Sequence, residues 1–374
     1  MESLAQHPQS FLTQFAPLSD ISRPLIGPDE LWHSYYCWLC KINGFIPFRY
    51  SKRLNRYVDT TKGKSKIYEA LSWACNLKEE EFVSQHTMYP LYEAINKNDA
   101  TTFLLGPACA LLARGNIWQQ TLCCEICMED SYKSFGRFIW RRSHQISPCF
   151  WCDLHQNCEL KLVSNAAARS PSLVKNPATP SQQLLECWRS HRPIQHYFSV
   201  CRAFLNRTKP IPWGFFSCAV SKKARQMGFG YSKGRIRRLG THIKKTFPKE
   251  WLSLIPRIPN SKTDLYASID SIVFGRQFCT DRMLYPLVVS TLWEDLSEAI
   301  DMMKTCENAK SYLDFDDYGL DFNDLEDLED LGDSFDEKRC DCMEKGLDHA
   351  NNQAVYTDDS RPIFARRARL RSVP

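Results

Sequence analysis

Residues 124–155 read CEICMEDSYKSFGRFIWRRSHQISPCFWCDLH, in which a Cys-x-x-Cys pair is followed after twenty-four residues by a Cys-x-x-His pair. Two ligands separated by two residues lie on one tight turn and can point at the same ion. Two such pairs at this spacing are typical of a tetrahedral zinc site. The sequence therefore predicts one structural zinc ion bound by Cys124, Cys127, Cys152 and His155, with no open coordination position for catalysis.

Three further cysteines flank this motif and leave the ligand set open. Cys123 and Cys158 lie beside the two pairs, and Cys149 forms a second Cys-x-x-Cys pair with Cys152. The two symmetric pairs favour the four ligands named above, while Cys123 and Cys149 stay open as substitute ligands. Cysteines that bind no metal are usually small buried apolar side chains.

Two enzyme signatures are incomplete. The motif PCFWC at 148–152 matches half of the zinc deaminase signature, but the upstream His-x-Glu is absent because His144 is followed by Gln and Ile. The tripeptide GKS at 63–65 is similar to the end of a phosphate-binding loop, but Val58 stands where that loop needs a glycine. The sequence therefore predicts a protein without catalytic residues.

The loop between the two metal-ligand pairs is basic and aromatic. Its basic side chains are Lys133, Arg137, Arg141 and Arg142, interleaved with Phe135, Phe138 and Trp140. Cations attract phosphates and aromatic rings stack on bases, so the pattern is typical of nucleic-acid binding. We predict DNA contact through these four basic residues. The alternative is a zinc-stabilised element whose basic face is only solvated.

Composition bounds the size and the location of the protein. The chain has 374 residues, 43% of them apolar, which is enough for two or three packed domains. No apolar run reaches the roughly eighteen residues of a membrane helix, and no signal peptide is recognised, so we expect no membrane partner. Seventeen cysteines without a secretion signal favour reduced thiols in a bacterial cytoplasm.

The net charge of +5 hides a strong asymmetry along the chain. Residues 1–312 hold 40 Lys and Arg against 26 Asp and Glu, a net charge of +14. Residues 313–374 hold 8 against 17, a net charge of −9, and twelve of these carboxylates fall within 313–337. A basic body favours nucleic acid as the partner, and an acidic block of this kind is typically disordered. Its acidic and apolar alternation suggests a docking peptide or a cover for the basic body.

A second basic stretch lies at 232–257. We predict a helix from Ser232 to about Phe247, with a second helix opened by Pro248. The predicted DNA-binding side chains of this stretch are Lys233, Arg235, Arg237, Arg238, Lys244 and Lys245. Two helices with one basic exposed face suit groove insertion or phosphate contact, and a merely solvated face is again the alternative.

Periodicity predicts helices over most of the remaining chain. The first starts at PDE 28–30, with acidic residues in its first turn, and ends at Gly44. Helices at 66–76 and 78–86 follow, with Asn76 and Glu79 as a capping box, and this pair is a candidate helix-turn-helix. Further helices are predicted at 184–206 (kinked or split at Pro193), 213–227, 264–277 and 282–303.

These elements predict a mainly α fold. It has a helical N-terminal region, an inserted zinc-ribbon-like Cys3His module, a C-terminal helix-turn-helix-like domain and a disordered acidic tail. The predicted boundaries are 1–110 for the N-terminal region, 111–163 for the zinc module, 164–183 for a flexible linker, 184–305 for the DNA-binding-like domain and 306–374 for the tail with its basic end.

Together these residues resemble the TniQ/TnsD family of transposon target-selection proteins, in particular its TnsD-like branch. The family's zinc signature looks like Cys-Pro-x-Cys, an aspartate, a glycine, a Trp with a basic residue, often His-Gln, and a closing Cys-Pro-x-His. The residues in register are Cys124, Cys127, Asp130, Gly136, Trp140, Arg142, His144, Gln145, Cys152 and His155. The stretches DEL at 29–31 and HTMYPLY at 86–92 are also similar, and the likeness spans about 28–300. Glu125 and Asp153 replace the two knuckle prolines, which removes no ligand.

The resemblance implies a non-catalytic adaptor that marks an insertion site on double-stranded DNA. It implies recruitment of an AAA+ ATPase regulator, which in turn activates the transposase. In one branch of the family the protein instead joins a CRISPR Cascade complex with its guide RNA, often as a homodimer.

Three functions therefore stay open. We expect direct DNA binding at the insertion site, because the net charge of +14 over residues 1–312 favours a nucleic-acid partner. The alternative is an adaptor docked on an RNA-guided complex, with DNA contacts secondary. A zinc-containing transcription regulator is a third alternative, and an enzyme is disfavoured by the closed ligand set.

Overall fold

The structure is a computed structural model, and it describes residues 22–44, 66–96, 121–155, 158–164, 172–232, 235–255, 264–275, 279 and 281–309. These residues belong to one unit, Met1–Asp314. The phosphate-loop-like tripeptide, Lys233 and the acidic tail beyond Ala309 lie outside the described residues.

The described chain is mainly helical, as predicted. Its helices are α1 Trp32–Ile42, α2 Lys66–Cys75, α3 Glu79–His86, α4 Tyr89–Tyr92, α5 Glu125–Phe135, α6 Gln182–Ser190, α7 Arg192–Leu205, α8 Trp213–Gln226, α9 Leu239–Thr246, α10 Lys249–Leu252, α11 Leu265–Val273, α12 Leu284–Leu292 and α13 Leu296–Asn308. Its strands are β1 Ile95–Asn96, β2 Leu122–Cys123, β3 Lys161–Ser164, β4 Ser172–Val174, β5 Ile211–Pro212, β6 Gly230–Ser232 and β7 Arg235–Arg237. A membrane-spanning helix is not found among the helices of the described ranges.

The first predicted helix is confirmed, but its predicted acidic first turn is wrong. α1 begins at Trp32 and ends before Gly44, whose φ of +68° suits a glycine. Asp29 has a φ of +55°, and Glu30 forms an isolated β-bridge with Arg141. Both carboxylates therefore lie outside the helix and point to partners distant in sequence.

Helices α2 and α3 confirm the pair predicted at 66–86, whereas the predicted capping box is wrong. Asn76 adopts a φ of +57° and follows α2 as its terminating residue. The N-cap of α3 is Lys78, which makes no side-chain capping bond. Asn76 lies in the left-handed αL conformation, which asparagine tolerates, and this explains an asparagine at position 76 better than capping of α3 does. The helix-turn-helix assignment of this pair stays a prediction.

The C-terminal helices surround α7. The helix predicted at 184–206 is split, because α6 ends at Ser190 and Pro193 lies in the first turn of α7, where its missing N–H costs nothing. The helix predicted at 282–303 is also split, and the carboxylate of Asp295 caps α13 by accepting a hydrogen bond from the backbone N–H of Ser297 at 2.7 Å.

The core of this region packs on residues 147–151, the segment that leads into the second metal-ligand pair. The ring of Trp151 meets the ring of Phe198 edge to face at 5.3 Å, and Phe150 lies 6.3 Å from Trp188. The hydroxyl of Tyr197 donates to the backbone oxygen of Ser147 at 3.4 Å. Helices α6 and α7 therefore support the segment that carries the second half of the predicted zinc module.

Short strands connect regions that are distant in sequence. β1 pairs in parallel with β5, and β2, β3 and β4 form an antiparallel sheet. β4 falls inside the predicted linker at 164–183, so the described part of that linker contributes a paired strand. The predicted domain boundaries stay predictions.

The basic stretch at 232–257 differs from its prediction. Instead of one long helix it forms an antiparallel hairpin, β6 and β7, in which Ser232 pairs with Arg235, and then the shorter helix α9. Gly228 and Gly230 have φ values of +75° and +111°, and these glycines let the chain turn after α8 into the hairpin. Two residues separate the paired Ser232 and Arg235, and a connection of this length is typical of a β-hairpin and not of a helix.

Candidate zinc site and basic surface

The first metal-ligand pair lies where strand β2 ends and α5 begins. Cys124 is the N-cap residue of α5, and Cys127 lies in its first turn. The helix ends at Gly136, whose φ of +64° allows the chain to reverse. A cap position followed by a first-turn position places both sulfurs at the N-terminal end of one helix.

The second pair lies in a tight turn of the opposite segment. The backbone N–H of Cys152 donates to the carbonyl of Cys158 at 2.9 Å, and the backbone N–H of His155 donates to the sulfur of Cys152 at 3.3 Å. Trp151 and Glu159 close this turn with a β-bridge. The turn therefore presents a sulfur and an imidazole to the same side.

The four predicted donors are brought together by the fold. Nδ1 of His155 lies 3.5 Å, 3.3 Å and 3.7 Å from the sulfurs of Cys124, Cys127 and Cys152, respectively. The sulfurs of Cys127 and Cys152 are 3.5 Å apart. All four ligand atoms lie within 4.8 Å of one another.

These distances fit one tetrahedral ion. Zinc–sulfur bonds of about 2.3 Å and zinc–nitrogen bonds of about 2.0 Å put tetrahedral donors roughly 3.5–3.8 Å apart. Sulfurs 3.5 Å apart are also much too distant for a disulfide, which needs about 2.05 Å. The Cys3His cluster can therefore hold one metal ion with four protein ligands.

The thiols share their protons unevenly. Hydrogen bonds from the thiols of Cys124 and Cys127, in that order, lower the pKa of Cys152. The pKa of Cys124 is raised, chiefly by its hydrogen bonds to Cys127 and Cys152. Because the three thiols share one site, they lose their protons as a coupled group, and a bound cation favours the deprotonated forms.

Of the three flanking cysteines, Cys123 and Cys149 lie outside the four-donor cluster, and Cys158 is its neighbour. Cys149 is buried and donates its S–H to the backbone oxygen of Trp151 at 3.1 Å, and burial raises its pKa to about 12. Burial likewise raises the pKa of Cys123. Cys158 packs against the cluster as a half-buried neighbour. The geometry therefore favours the four predicted ligands over Cys123 and Cys149.

The loop arginine Arg137 occupies a buried ion pair. Its side chain is 2% exposed and that of Glu30 is fully buried. Its Nη2 donates to a carboxylate oxygen of Glu30 at 2.6 Å and to the backbone oxygen of Leu25 at 2.7 Å. Glu30 also accepts a hydrogen bond from the backbone N–H of Gly27 at 2.7 Å. The pair is thus fully hydrogen-bonded inside the protein.

Arg142 is buried in the same way beside Asp29. Its Nε donates to Asp29 at 3.1 Å, and its Nη1 donates to the backbone oxygen of Ser84 at 2.6 Å. Arg141 is half-buried and lies 3.4 Å from the same carboxylate. Burial lowers the pKa of Arg142, and Asp29 opposes that change.

The prediction that Arg137 and Arg142 contact DNA is therefore wrong. Both guanidinium groups are enclosed and hydrogen-bonded to acidic or backbone groups, so they hold the zinc module against α1 and α3. Arg141 faces Asp29 and is only partly accessible. Lys133 is the most exposed of the four predicted residues, with a side chain that is 74% exposed.

The C-terminal basic side chains have the opposite environment. Exposed cations of the hairpin and the helices that follow it are Arg237, Arg238, Lys244, Lys245 and Lys249, which we call the basic segment. Arg237 lies over the ring of Phe229, 4.6 Å from its centroid. The side chains of Lys233 and Arg235 lie outside the described residues.

Helix α9 of the basic segment is held rigidly against α11. A Cβ added at Gly240 would lie 2.8 Å from the backbone oxygen of Tyr266, so only glycine allows this approach. The carboxylate of Asp270 accepts a hydrogen bond from the backbone N–H of Gly240 at 2.9 Å and thereby caps the first turn of α9. The cations on the outer face of α9 are therefore presented by a helix that packs closely on α11 and is hydrogen-bonded to it.

Sequence reasoning missed several residues that build the site. Asp29 and Glu30 appeared as a helix start and within the DEL stretch of the family resemblance, but their pairing with arginines more than a hundred positions away has no local signal. Gln145 exchanges two hydrogen bonds with the backbone of Leu122, at 2.8 Å and 3.0 Å, and so fixes the strand that leads to Cys124. The similarity of the His-Gln pair to the family signature was its one sequence signal.

Comparison with known families supports the resemblance over part of the chain. Residues 21–160 match the model of the TniQ family. This region includes α1 to α5 and the whole Cys3His cluster. The match indicates a transposition-associated role of the target-selection or adaptor kind. No curated protein matches the chain.

Proposed function

We propose that this chain is a non-catalytic target-selection protein of a bacterial transposon, acting in the cytoplasm. It binds duplex DNA at the insertion site through the basic segment and recruits an AAA+ ATPase regulator, which activates the transposase. The match of residues 21–160 to the TniQ family supports a role in transposition. The main support for the proposed DNA contact is the exposure of five cations on and beside helix α9, which is anchored to α11.

The basic segment meets the physical needs of phosphate binding. Its cations are exposed, and Glu250 is the acidic residue that lies within the same stretch. Each phosphate that a Lys or Arg neutralises releases counterions, so several such contacts give strong, salt-dependent affinity. Because α9 is already ordered by Gly240 and Asp270, binding costs little additional backbone entropy.

We propose zinc as the ion in the Cys3His cluster. Three thiolates and one imidazole in tetrahedral arrangement suit zinc, and four protein ligands leave no position for a water nucleophile. The ion would join the start of α5 to the turn at 152–155. Its role is structural, and the TnsD-like branch fits a protein that reads DNA directly.

The experiment compares two double variants with the same loss of charge. Lys244→Ala/Lys245→Ala removes two cations of the basic segment, and Lys175→Ala/Lys304→Ala removes two exposed lysines elsewhere. Duplex affinity is measured from 50 to 300 mM salt. We expect the first variant to reduce the salt slope by about two and the second to leave it near that of the wild type.

A second function is favoured by one observation. The zinc module exposes the apolar side chains of Ile126, Tyr132 and Leu154, which suit a protein partner better than a phosphate backbone. This surface supports the alternative, an adaptor that docks on an RNA-guided Cascade complex. Equal salt slopes for the two double variants, or no duplex binding at low salt, would favour the adaptor.

A further inference from the structure

His144 lies beside the metal cluster without belonging to its four donors. Its side chain is buried, and its Nε2 is 3.4 Å from the sulfur of Cys152. The four-donor group contains Cys152 but not His144, which instead groups with Cys152 and Asp153. This contact is directed at one metal-ligand sulfur from outside the proposed coordination shell.

The backbone around His144 is fixed on both sides. The preceding Ser143 donates its hydroxyl and its backbone N–H to the carboxylate of Asp29, at 3.0 Å and 3.3 Å. The following Gln145 is bonded to the backbone of Leu122. The short 3-10 turn that carries all three residues, Ser143–Gln145, therefore presents the imidazole in one orientation.

The surroundings of the ring decide which nitrogen carries the proton. Nδ1 of His144 is buried and has no hydrogen-bond partner among the described residues. A proton on Nδ1 would be an unpaired buried donor and would leave the Nε2 lone pair facing the lone pairs of sulfur. A proton on Nε2 avoids both costs. We infer that His144 is a positioning residue that donates its Nε2–H to the thiolate of Cys152; this inference rests on the proposed metal site.

The hydrogen bond would act on the charge of the cluster. Three thiolates and one neutral imidazole around a divalent ion leave a net charge of −1 in a largely buried site. The sulfur of Cys152 already accepts the backbone N–H of His155 at 3.3 Å, and His144 supplies a second donor. Donors to a thiolate withdraw charge from it and orient it, so their loss weakens metal binding by about 10- to 100-fold.

Two substitutions separate hydrogen bonding from packing. His144→Leu keeps a similar volume and removes the donor, whereas His144→Gln keeps an amide N–H in reach of the sulfur. His33→Leu is the matched control, because His33 is a buried histidine of the same region that lies in α1 outside both metal-ligand groups. Each full-length protein is loaded with one equivalent of cobalt as a spectroscopic probe, and zinc affinity is measured by chelator competition.

We expect His144→Leu to shift the thiolate-to-cobalt charge-transfer band to lower energy and to reduce zinc affinity at least 10-fold. His144→Gln should restore most of both properties, and His33→Leu should change neither. A His144→Leu protein with the wild-type band and affinity would overturn the inference. Two equivalents of zinc in the wild type and one in His144→Leu would also overturn it, because His144 would then be a ligand.

A measurement on the wild type covers the case in which His144→Leu does not fold. Long-range proton–nitrogen spectra of zinc-loaded protein, labelled with 15N at its nine histidines, report the tautomer of each ring. The His144 signals are assigned from His144→Gln. A slowly exchanging proton on Nε2 supports the inference, and a proton on Nδ1 contradicts it. A wild type that binds no metal would instead sink the proposed metal site itself.

Discussion

The zinc module and the basic segment look alike in sequence but place their cations differently. Both combine several Lys and Arg residues with aromatic side chains. In the zinc module, Arg137 and Arg142 are buried against Glu30 and Asp29. In the basic segment, the five cations from Arg237 to Lys249 are exposed, and Glu250 is the one acidic residue in the sequence of the stretch 232–257.

The difference shows that a basic stretch is a nucleic-acid candidate only after its acidic partners have been located. Arg137 and Glu30 are separated by 107 positions, so no sequence window contains both. A buried charge must be paired, and the fold pairs these arginines internally instead of leaving them for a ligand. The predicted zinc module thus uses these arginines for folding, and the exposed cations of the basic segment are the ones proposed to contact DNA.

The largest expected effect is loss of the metal. Cys152→Ser removes a ligand, whereas Cys149→Ser alters a buried cysteine that donates to a backbone oxygen outside the cluster. We expect one zinc per wild-type chain and per Cys149→Ser chain, and none in Cys152→Ser, measured by elemental analysis. Structural zinc contributes on the order of 10 kcal/mol to folding in small domains, so the Cys152→Ser zinc module should lose protection from proteolysis. Equal zinc contents in the two variants would contradict the ligand assignment.

The second effect tests the difference between buried and exposed arginines. Arg137→Met leaves the buried carboxylate of Glu30 without its cation, which should cost about 3–5 kcal/mol of unfolding free energy. Arg237→Met removes an exposed guanidinium that lies over Phe229 and should cost about 1 kcal/mol or less. Urea unfolding of the zinc-loaded proteins measures both.

A double variant sharpens this second prediction. Arg137→Met/Glu30→Gln removes both charges, so it should recover part of the stability lost in Arg137→Met. Similar losses of unfolding free energy for Arg137→Met and Arg237→Met would contradict the structure, in which Arg137 is buried and Arg237 is exposed.

Local chemistry was predictable from the sequence, and distant pairing was not. The ligand pairs were predictable because each spans four successive positions, and most helices were predictable because their apolar spacing is local. Asp29 and Glu30 were misassigned because their partners come from a segment beyond residue 136. The sequence of the hairpin at 230–237 also fits a helix, because Ile236 and Leu239 lie three positions apart, whereas Gly228 and Gly230 favour a turn.

The third effect concerns pH and distinguishes buried from accessible histidines. Burial lowers the pKa of His86 from 6.5 to about 4, while its Nδ1 bonds the backbone oxygen of Glu30 at 3.0 Å. The folded state therefore resists a proton that the unfolded state accepts. The contribution of neutral His86 to the free energy of unfolding is complete above pH 6.5 and is lost as the pH falls toward 4. The slope is up to about 1.4 kcal/mol per pH unit.

The measurement compares this slope in two variants. His86→Asn should flatten the pH dependence of the unfolding free energy between pH 6.5 and 5. His242→Asn in the basic segment should flatten it less, because His242 is half-buried and its pKa is lowered by partial burial and then by Arg237 and Lys245. A larger change in this pH slope for His242→Asn than for His86→Asn would contradict the structure, in which His86 is the more deeply buried of the two.

The smallest effect tests whether the zinc module makes any DNA contact of its own. Lys133 is exposed, but its ammonium lies 4.0 Å from the carboxylate of Asp130, and Glu125 and Glu129 are exposed on the same helix. These carboxylates reduce the local positive potential, so a phosphate gains little by approaching Lys133. We therefore expect Lys133→Ala to change the salt slope of duplex binding by less than one, against about two for Lys244→Ala/Lys245→Ala. A change of one or more in the salt slope for Lys133→Ala would mean that DNA also contacts the predicted zinc module. The proposal that the basic segment makes the main DNA contact would then be wrong.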